Sequence, residues 1–221
     1  MSKRVAYIHT VTSLVGLFNQ LSAELIPDAR VFHIADESLL QNVIRDGRMS
    51  TLTARRLVQH MISAEEAGAD LIMVTCSSVG EAVPIGQPLL HVPVYRVDQP
   101  MADKAVAVGQ RIGVAATLST TLDPTARLIQ NRADAQGKPA QVVSKLCEGA
   151  FDAVISGDTA RHDAIVRDGL RGLIEQVDVV VLAQASMARV VDTLSEAERK
   201  VPVLSSPRLG VEFLAQAIAS L

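Results

Sequence analysis

The chain has 221 residues, enough for one large domain or for two modest lobes with a substantial core. Hydrophobic residues make up 48% and charged residues 20%, while Trp is absent and Phe and Tyr are scarce, so few side chains are available to stack on bases. The net charge is −3 and no apolar stretch approaches the roughly 18 to 20 residues that span a bilayer, which argues against nucleic-acid and membrane partners.

The amino terminus leads directly into a strand-like segment, without the pattern of a signal peptide. Two cysteines, Cys76 and Cys147, could pair in principle, but in that context reduced thiols are expected. The predicted location is therefore the cytoplasm.

Strand-like and helix-like segments alternate through the first half. Apolar runs predict strands over residues 3–10, 31–35, 71–74 and 91–95. Helical spacing predicts helices over residues 14–25, 37–44 and 101–108, and a longer helix that is capped by Thr51 or Thr53 and ends at Glu66. Residues 80–88 are rich in turn formers. Such alternation indicates a parallel sheet, which places ligands at the carboxyl ends of its strands.

From Gln110 onward the pattern restarts. Residues 4–10 match residues 111–117, and Asp70-Leu-Ile-Met-Val-Thr-Cys-Ser-Ser aligns without a gap on Asp178-Val-Val-Val-Leu-Ala-Gln-Ala-Ser. This repetition predicts an α/β fold of two similar lobes with parallel sheets, related by internal duplication, with a cleft between the strand carboxyl ends. The expected lobes are residues 1–100, on which the C-terminal helix can pack, and residues 101–221.

Cys76 follows the buried strand 71–74 and is the predicted centre of the chemistry, with Gln184 at the equivalent place in the second half. Hydroxyls and helix-start amides near the strand ends form a neutral, donor-rich set that suits a carboxylate. A small carboxylate or amino acid is therefore the expected substrate. The residues predicted to bind it are Thr10, Ser13, Ser77, Ser78, Thr117, Ser119, Thr120, Gln184, Ala185 and Ser186.

With Thr-Cys-Ser-Ser at 75–78, Leu-Ala-Gln-Ala-Ser-Met at 182–187, and the segments 7–13 and 113–120, the chain resembles the aspartate/glutamate/hydantoin racemase superfamily. The resemblance implies a cofactor-independent racemase or epimerase that often forms homodimers or higher homo-oligomers. Such enzymes place a cysteine on each side of the substrate α-carbon. The first cysteine corresponds to Cys76, whereas Gln184 stands in place of the second.

Glutamine neither accepts nor donates a proton at a useful pKa, so the symmetrical two-cysteine mechanism conflicts with these residues. Candidates for another acid are His9, His91 and Glu81, of which His9 is preferred because it ends the first strand. The resemblance also admits a maleate-isomerase-like cis-trans isomerase or a decarboxylase. A catalytically inactive small-molecule-binding or regulatory protein is a further alternative.

The remaining polar residues carry weaker signals. Asp98 is expected to bind a substrate amine or to cap a helix, Cys147 to be structural, and His60 and His162 to face solvent. No spacing of His, Cys, Asp and Glu suggests a metal site, and no glycine-rich phosphate loop supports a nucleotide. No cofactor is predicted.

Overall fold

A computed structural model describes residues 2–191, 193–196 and 198–220. The chain divides into two compact units. Unit 1 consists of Met1–Gln99 together with Pro207–Leu221, and unit 2 consists of Pro100–Ser206. The last segment of the chain thus belongs with the first unit.

Unit 1 is built on a four-stranded parallel sheet in the order β2-β1-β3-β4. Its strands are β1 (Arg4–His9), β2 (Arg30–Ala35), β3 (Leu71–Val74) and β4 (Val94–Arg96). Its first helices are α1 (Leu14–Leu25), α2 (Glu37–Asp46), α3 (Thr51–Glu66) and α4 (Val83–Gly86). Two 3-10 turns, Ser77–Ala82 and Gln87–Leu89, flank α4.

Unit 2 repeats this plan, with a parallel sheet in the order β6-β5-β7-β8. Its strands are β5 (Arg111–Ala116), β6 (Gln141–Leu146), β7 (Val179–Leu182) and β8 (Val203–Ser205). Its helices are α5 (Gln99–Val108), α6 (Ser119–Ala135), α7 (Ala150–Ile155), α8 (Thr159–Ile174) and α9 (Ala188–Val191), with a 3-10 turn at Ala185–Met187. The chain then ends in α10 (Ser206–Ala219).

The sheet of unit 1 is covered on both faces, which explains why β3 is apolar at every position. Along β1 the side chains alternate: Val5 and Tyr7 pack in a cluster with residues of α1 and α10, whereas Ala6 and Ile8 pack with residues of α2 and α3. The C-terminal helix is held in unit 1 because Val211 and Leu214 are fully buried in the first of these clusters.

Two equivalent aspartates support the predicted duplication. The carboxylate of Asp70 accepts the backbone N–H of Arg4 at 2.7 Å, and that of Asp178 accepts the backbone N–H of Arg111 at 2.8 Å. Each aspartate precedes the third strand of its sheet and ties down the start of the first strand. Internal repetition in the sequence therefore corresponds to two similar α/β folds, and this prediction is confirmed.

The structure differs from the sequence predictions at the start of α3, at the start of β4 and at His162. The N-cap of α3 is Ser50, whose hydroxyl accepts the N–H of Thr53, rather than either threonine. Strand β4 begins later than predicted because the N–H groups of His91 and Val92 donate to the Glu65 carboxylate instead of a neighbouring strand. His162 does not face solvent: it is fully buried on α8.

A chain of hydrogen-bonded polar side chains runs from the buried His9 of β1 to the exposed Asn19 of α1. His9 is fully buried, with its Nδ1 2.8 Å from the Thr75 hydroxyl and its Nε2 2.8 Å from Nδ1 of His33. His33 in turn contacts Asn19 through its Nε2 at 3.0 Å. One nitrogen of the His9–His33 contact must donate and the other must accept, so the two imidazoles cannot both be protonated while this bond is kept. Burial, together with repulsion by His33, lowers the pKa of His9 to about 4.

We expect the free energy of unfolding to fall as the pH is lowered from about 6.5 to about 4, since the unfolded chain binds a proton at His9 that the folded chain excludes. The contribution is fully present above the unfolded pKa and is lost as the pH falls through this window. Its size is at most about 3 kcal/mol. Denaturant titrations across the pH series measure it.

The His9→Asn variant separates this effect from the titration of carboxylates, because only the His9 part of the pH dependence disappears. His91→Asn is the matched control, since His91 is an exposed histidine of the same unit. An unchanged pH dependence in His9→Asn contradicts the assignment.

Candidate functional site

Cys76 lies two residues beyond the end of β3 and is the N-cap of the 3-10 turn Ser77–Ala82. Its sulfur receives hydrogen bonds from the Thr10 hydroxyl, from the N–H groups of Ser78 and Val79, and from the Ser78 hydroxyl. These donors favour the thiolate, but burial outweighs them and raises the pKa of the Cys76 thiol above its ordinary value. The resting sulfur is therefore a protonated thiol that is surrounded by groups able to stabilise its anion.

The register of β1 and β3 brings Thr10 to Cys76. Ile8 is level with Val74, so the same register, continued by two residues, sets Thr10 opposite Cys76. Thr10, Ser77 and Ser78, all predicted site residues, are buried at this edge. The structure therefore brings these three predicted residues together around the thiol.

Ser13, another predicted site residue, lies at the start of α1. It is exposed and occupies the N-cap position without making a side-chain capping bond. The neighbouring Thr12 is already engaged, since its N–H and hydroxyl donate to Glu37 of α2 at 3.0 and 2.7 Å. Glu37 was not found from the sequence, because its only local signal is that of an acidic residue in the first turn of a helix.

His9 ends β1 as predicted, but its ring lies on the other face of the sheet from Cys76. Strand alternation directs His9 towards Tyr7 and Phe18 of the α1 cluster, whereas Cys76 packs against the α2 and α3 cluster. Both ring nitrogens are occupied, by Thr75 and by His33. The link between His9 and the thiol is therefore the backbone from Thr75 to Cys76.

Gln184 occupies the same backbone position in unit 2. It lies two residues beyond the end of β7 and is the N-cap of a 3-10 turn. Its φ and ψ are −132° and 136°, against −131° and 119° for Cys76. Its carboxamide is bound to Thr117: Oε1 accepts the Thr117 N–H at 2.6 Å, and Nε2 donates to the Thr117 hydroxyl at 2.8 Å. The amide oxygen and one N–H of this side chain are thus engaged within the unit.

The start of α6 supplies further donors in unit 2. Its N-cap residue, Leu118, has no side chain that can cap the helix, and its first turn holds no acidic residue. Ser119 is exposed, whereas Thr120 is buried and its hydroxyl has no hydrogen-bond partner among the described residues. Such a helix start is suited to an anion. The other predicted residues of unit 2 are Ala185, which is partly exposed, and Ser186, which is exposed.

Asp98 was predicted to bind a substrate amine or to cap a helix, but its carboxylate is paired with Arg96. Its carboxylate, of which 1% is exposed, accepts two hydrogen bonds from Arg96, from Nε at 2.9 Å and from Nη2 at 2.8 Å. Arg96 was missed in the sequence. The available signal was a charged residue at the end of an apolar strand with an acid two positions later.

Residues 2–191, 193–196 and 198–220 contain no group of three or more His, Cys, Asp or Glu side chains that could hold a metal ion. In the same part of the chain, no helix is long and apolar enough to cross a bilayer. Cys147, at the end of β6, is almost fully buried, and burial raises the pKa of its thiol.

Comparison with solved structures finds the same fold over nearly the whole chain. Glutamate racemase RacE1 of Bacillus anthracis superposes with a TM-score of 0.76 at 18% identity, covering 99% of this chain and 82% of that one. Aspartate racemase of Picrophilus torridus gives 0.74 at 13% identity, with 99% and 95% covered. Allantoin racemase of Klebsiella pneumoniae gives 0.69 at 19% identity, with 99% and 89% covered.

A search of curated proteins gives no match. By contrast, the sequence profile described as Asp/Glu/Hydantoin racemase matches residues 9–214, which span both units and include Cys76 and Gln184. The chain therefore belongs to the Asp/Glu/Hydantoin racemase family.

Proposed function

We propose that this protein is a cofactor-independent isomerase of racemase type that acts on a small amino or carboxylic acid, with Cys76 as its base or nucleophile. The observation that carries the proposal is the set of donors around the Cys76 sulfur, from Thr10, Ser78 and Val79. A cysteine that is only structural needs no such set, because a thiol is a weak acceptor. A thiolate does need it.

The substrate class follows from the donors at the strand ends. Neutral hydroxyls and helix-start amides bind a carboxylate without the strong counter-charge that a phosphate commonly uses. In unit 2 the best-supported donors are the Thr120 hydroxyl, which has no hydrogen-bond partner among the described residues, and the N–H groups at the start of α6, which no side chain caps. We assign substrate binding to these groups and to Ser13, Ser77, Ser119, Ala185 and Ser186. The related structures named above are racemases of glutamate, aspartate and allantoin, which are small polar molecules.

In the proposed reaction the Cys76 thiolate removes the proton from the substrate α-carbon. The negative charge left on that carbon spreads onto the carboxylate oxygens, where the bound donors stabilise it. Since burial keeps the resting Cys76 protonated, the thiol releases its proton to solvent, to which it is partly exposed, before the substrate closes it off. Thr10, Ser78 and Val79 then hold the thiolate in place. Proton return to the opposite face requires a second acid.

Gln184 stands where we infer that the family's second cysteine would lie, and it cannot supply that proton. Its amide is committed to Thr117, so in this proposal it shapes the site and holds the Thr117 loop. His9 is the predicted alternative acid. Because both of its nitrogens are bonded and its ring lies on the other sheet face, the geometry favours a positioning role that acts through Thr75.

Because Gln184 cannot act as the second acid, a second candidate function uses the Cys76 thiol alone. Addition of Cys76 to a double bond, as in a cis-trans isomerase like maleate isomerase, or protonation of a carbanion after decarboxylation, requires no acid at position 184. The raised pKa of Cys76 suits a proton donor. A binding protein without catalysis is the outcome if Cys76 proves inert.

We expect Cys76→Ser to abolish turnover, because a serine hydroxyl is too weak an acid to replace the thiol. The assay incubates the protein in deuterated water with amino acids, hydantoins, maleate and substituted malonates. Deuterium at a stereocentre with loss of optical rotation indicates racemisation, whereas fumarate or carbon dioxide indicates the second candidate.

Cys147→Ser is the matched control for this assay and should retain activity, since Cys147 lies in the core of unit 2. Equal turnover by Cys76→Ser and by the unaltered protein rejects Cys76 as the reactive group. Absence of turnover with every compound, together with slow alkylation of Cys76, points instead to the binding protein.

We expect Gln184→Cys to raise the rate of racemisation by at least about tenfold, because the N–H and hydroxyl of Thr117 become available to a thiolate at position 184. Gln184→Ser is the control: it frees Thr117 equally but supplies no thiol. A gain in both variants assigns the effect to space alone, and no gain in Gln184→Cys indicates a site built for one-thiol chemistry.

A further inference from the structure

Arg96 and Asp98 form a buried ion pair at the carboxyl end of β4. The guanidinium side chain is 9% exposed and the carboxylate 1% exposed, and two parallel hydrogen bonds of 2.9 and 2.8 Å join them. Removal of two charges from water is costly, and a buried pair often stabilises a fold no better than apolar residues of the same size. This pair therefore calls for an explanation beyond folding stability.

The guanidinium lies against the turn that carries the reactive cysteine. Arg96 is level with Val74 in the sheet, two residues before Cys76. At Gly80, in the turn Ser77–Ala82, a Cβ atom would lie 2.7 to 2.9 Å from Nε, Cζ and Nη2 of Arg96. Glycine at this position is what allows the guanidinium to approach the backbone of the turn.

The same turn presents its amides to the sulfur, since the N–H groups of Ser78 and Val79 bond to Cys76. Arg96 therefore packs on the turn that holds the thiolate donors. A charge on Cys76 contributes to the raised pKa of Arg96, after the larger contributions of Asp98 and Glu81. The other titratable groups nearby are Asp98 beside the guanidinium and Glu81 in the turn, both acting on Arg96, and His9, bonded to Thr75.

We propose that Arg96 is a positioning residue for the Cys76 reaction: held by Asp98 and seated on Gly80, it fixes the donor turn and provides the positive charge that offsets the thiolate. This inference rests on the proposed role of Cys76 as base or nucleophile. Asp98 limits the effect of Arg96 on the thiol, because its carboxylate orients the guanidinium and partly cancels its positive charge. The pair therefore adjusts the acidity of the thiol from the carboxyl end of β4, through the turn that carries the donors.

Two variants should shift the pKa of Cys76 in opposite directions. Arg96→Met leaves Asp98 and Glu81 without their counter-charge and raises the pKa, whereas Asp98→Asn leaves the guanidinium uncancelled and lowers it. Below the pKa, the alkylation rate of a thiol falls about tenfold for each unit of increase in its pKa. Iodoacetamide labelling of Cys76, followed by peptide mass spectrometry between pH 7 and 10, measures both shifts.

We expect labelling of Cys76 to become about tenfold slower in Arg96→Met and severalfold faster in Asp98→Asn at a fixed pH in this range. Arg96→Lys keeps the charge and should restore most of the rate. Arg208→Met is the matched control, since it breaks a comparable two-bond pair with Glu24 on the surface of unit 1 and should leave Cys76 unchanged.

Cys147 provides an internal reference, because a general loosening of the fold accelerates its labelling as well. If Arg96→Met cannot be purified folded, Asp98→Asn and Arg96→Lys decide the question. Shifts of the same sign in Arg96→Met and Asp98→Asn, or no shift in the folded variants, overturn the proposal. The labelling needs no substrate, so its outcome is independent of whether the isomerase assay succeeds.

Discussion

The parallel pairing of β1 with β3 is the constraint on which the candidate site depends. Ile8 is level with Val74, and the N–H of Thr75 donates to the carbonyl of Ile8 at 3.0 Å. Beyond this bond both chains leave the sheet at the same height, which sets Thr10 beside Cys76. A slip of one residue would exchange the faces of β3 and direct Cys76 towards His9 and His33. The bond from the Arg4 N–H to the Asp70 carboxylate and the contact between His9 and the Thr75 hydroxyl oppose such a slip.

Around Cys76, burial and polar contacts act in opposite directions on the thiol. Burial raises its pKa, while the hydrogen bonds of the strand-end residues lower it, and burial prevails. Because these effects oppose each other, a nearby charged side chain can shift the pKa of the Cys76 thiol. The buried Arg96–Asp98 pair is placed to make such an addition, because it combines a fixed cation with a carboxylate that limits it. Gly80 is the structural condition for this placement.

The two units show how one backbone plan supports different chemistry. Cys76 and Gln184 have nearly the same backbone angles and begin the same kind of 3-10 turn. In unit 1 the strand-end threonine, Thr10, contacts a sulfur that can lose a proton, whereas in unit 2 Thr117 contacts an amide that cannot. Strand pairing is indifferent to this exchange, since backbone hydrogen bonds do not depend on the side chain. The fold could thus be retained while the reactive group at one position differed.

Sequence alone determined the alternation of strands and helices, the duplication, and the place of Cys76 and Gln184, because apolar periodicity and repeated segments are local properties of the chain. Tertiary structure decided which face each strand-end residue takes and which partner satisfies it. His9 was predicted at the correct edge, but the alternation of β1 and its bonds to two other elements turned its ring away from the thiol. The proximity of Arg96 and Asp98 to the Cys76 turn becomes visible only when β4 lies beside β3, since the burial of a charge depends on neighbours that are distant in sequence.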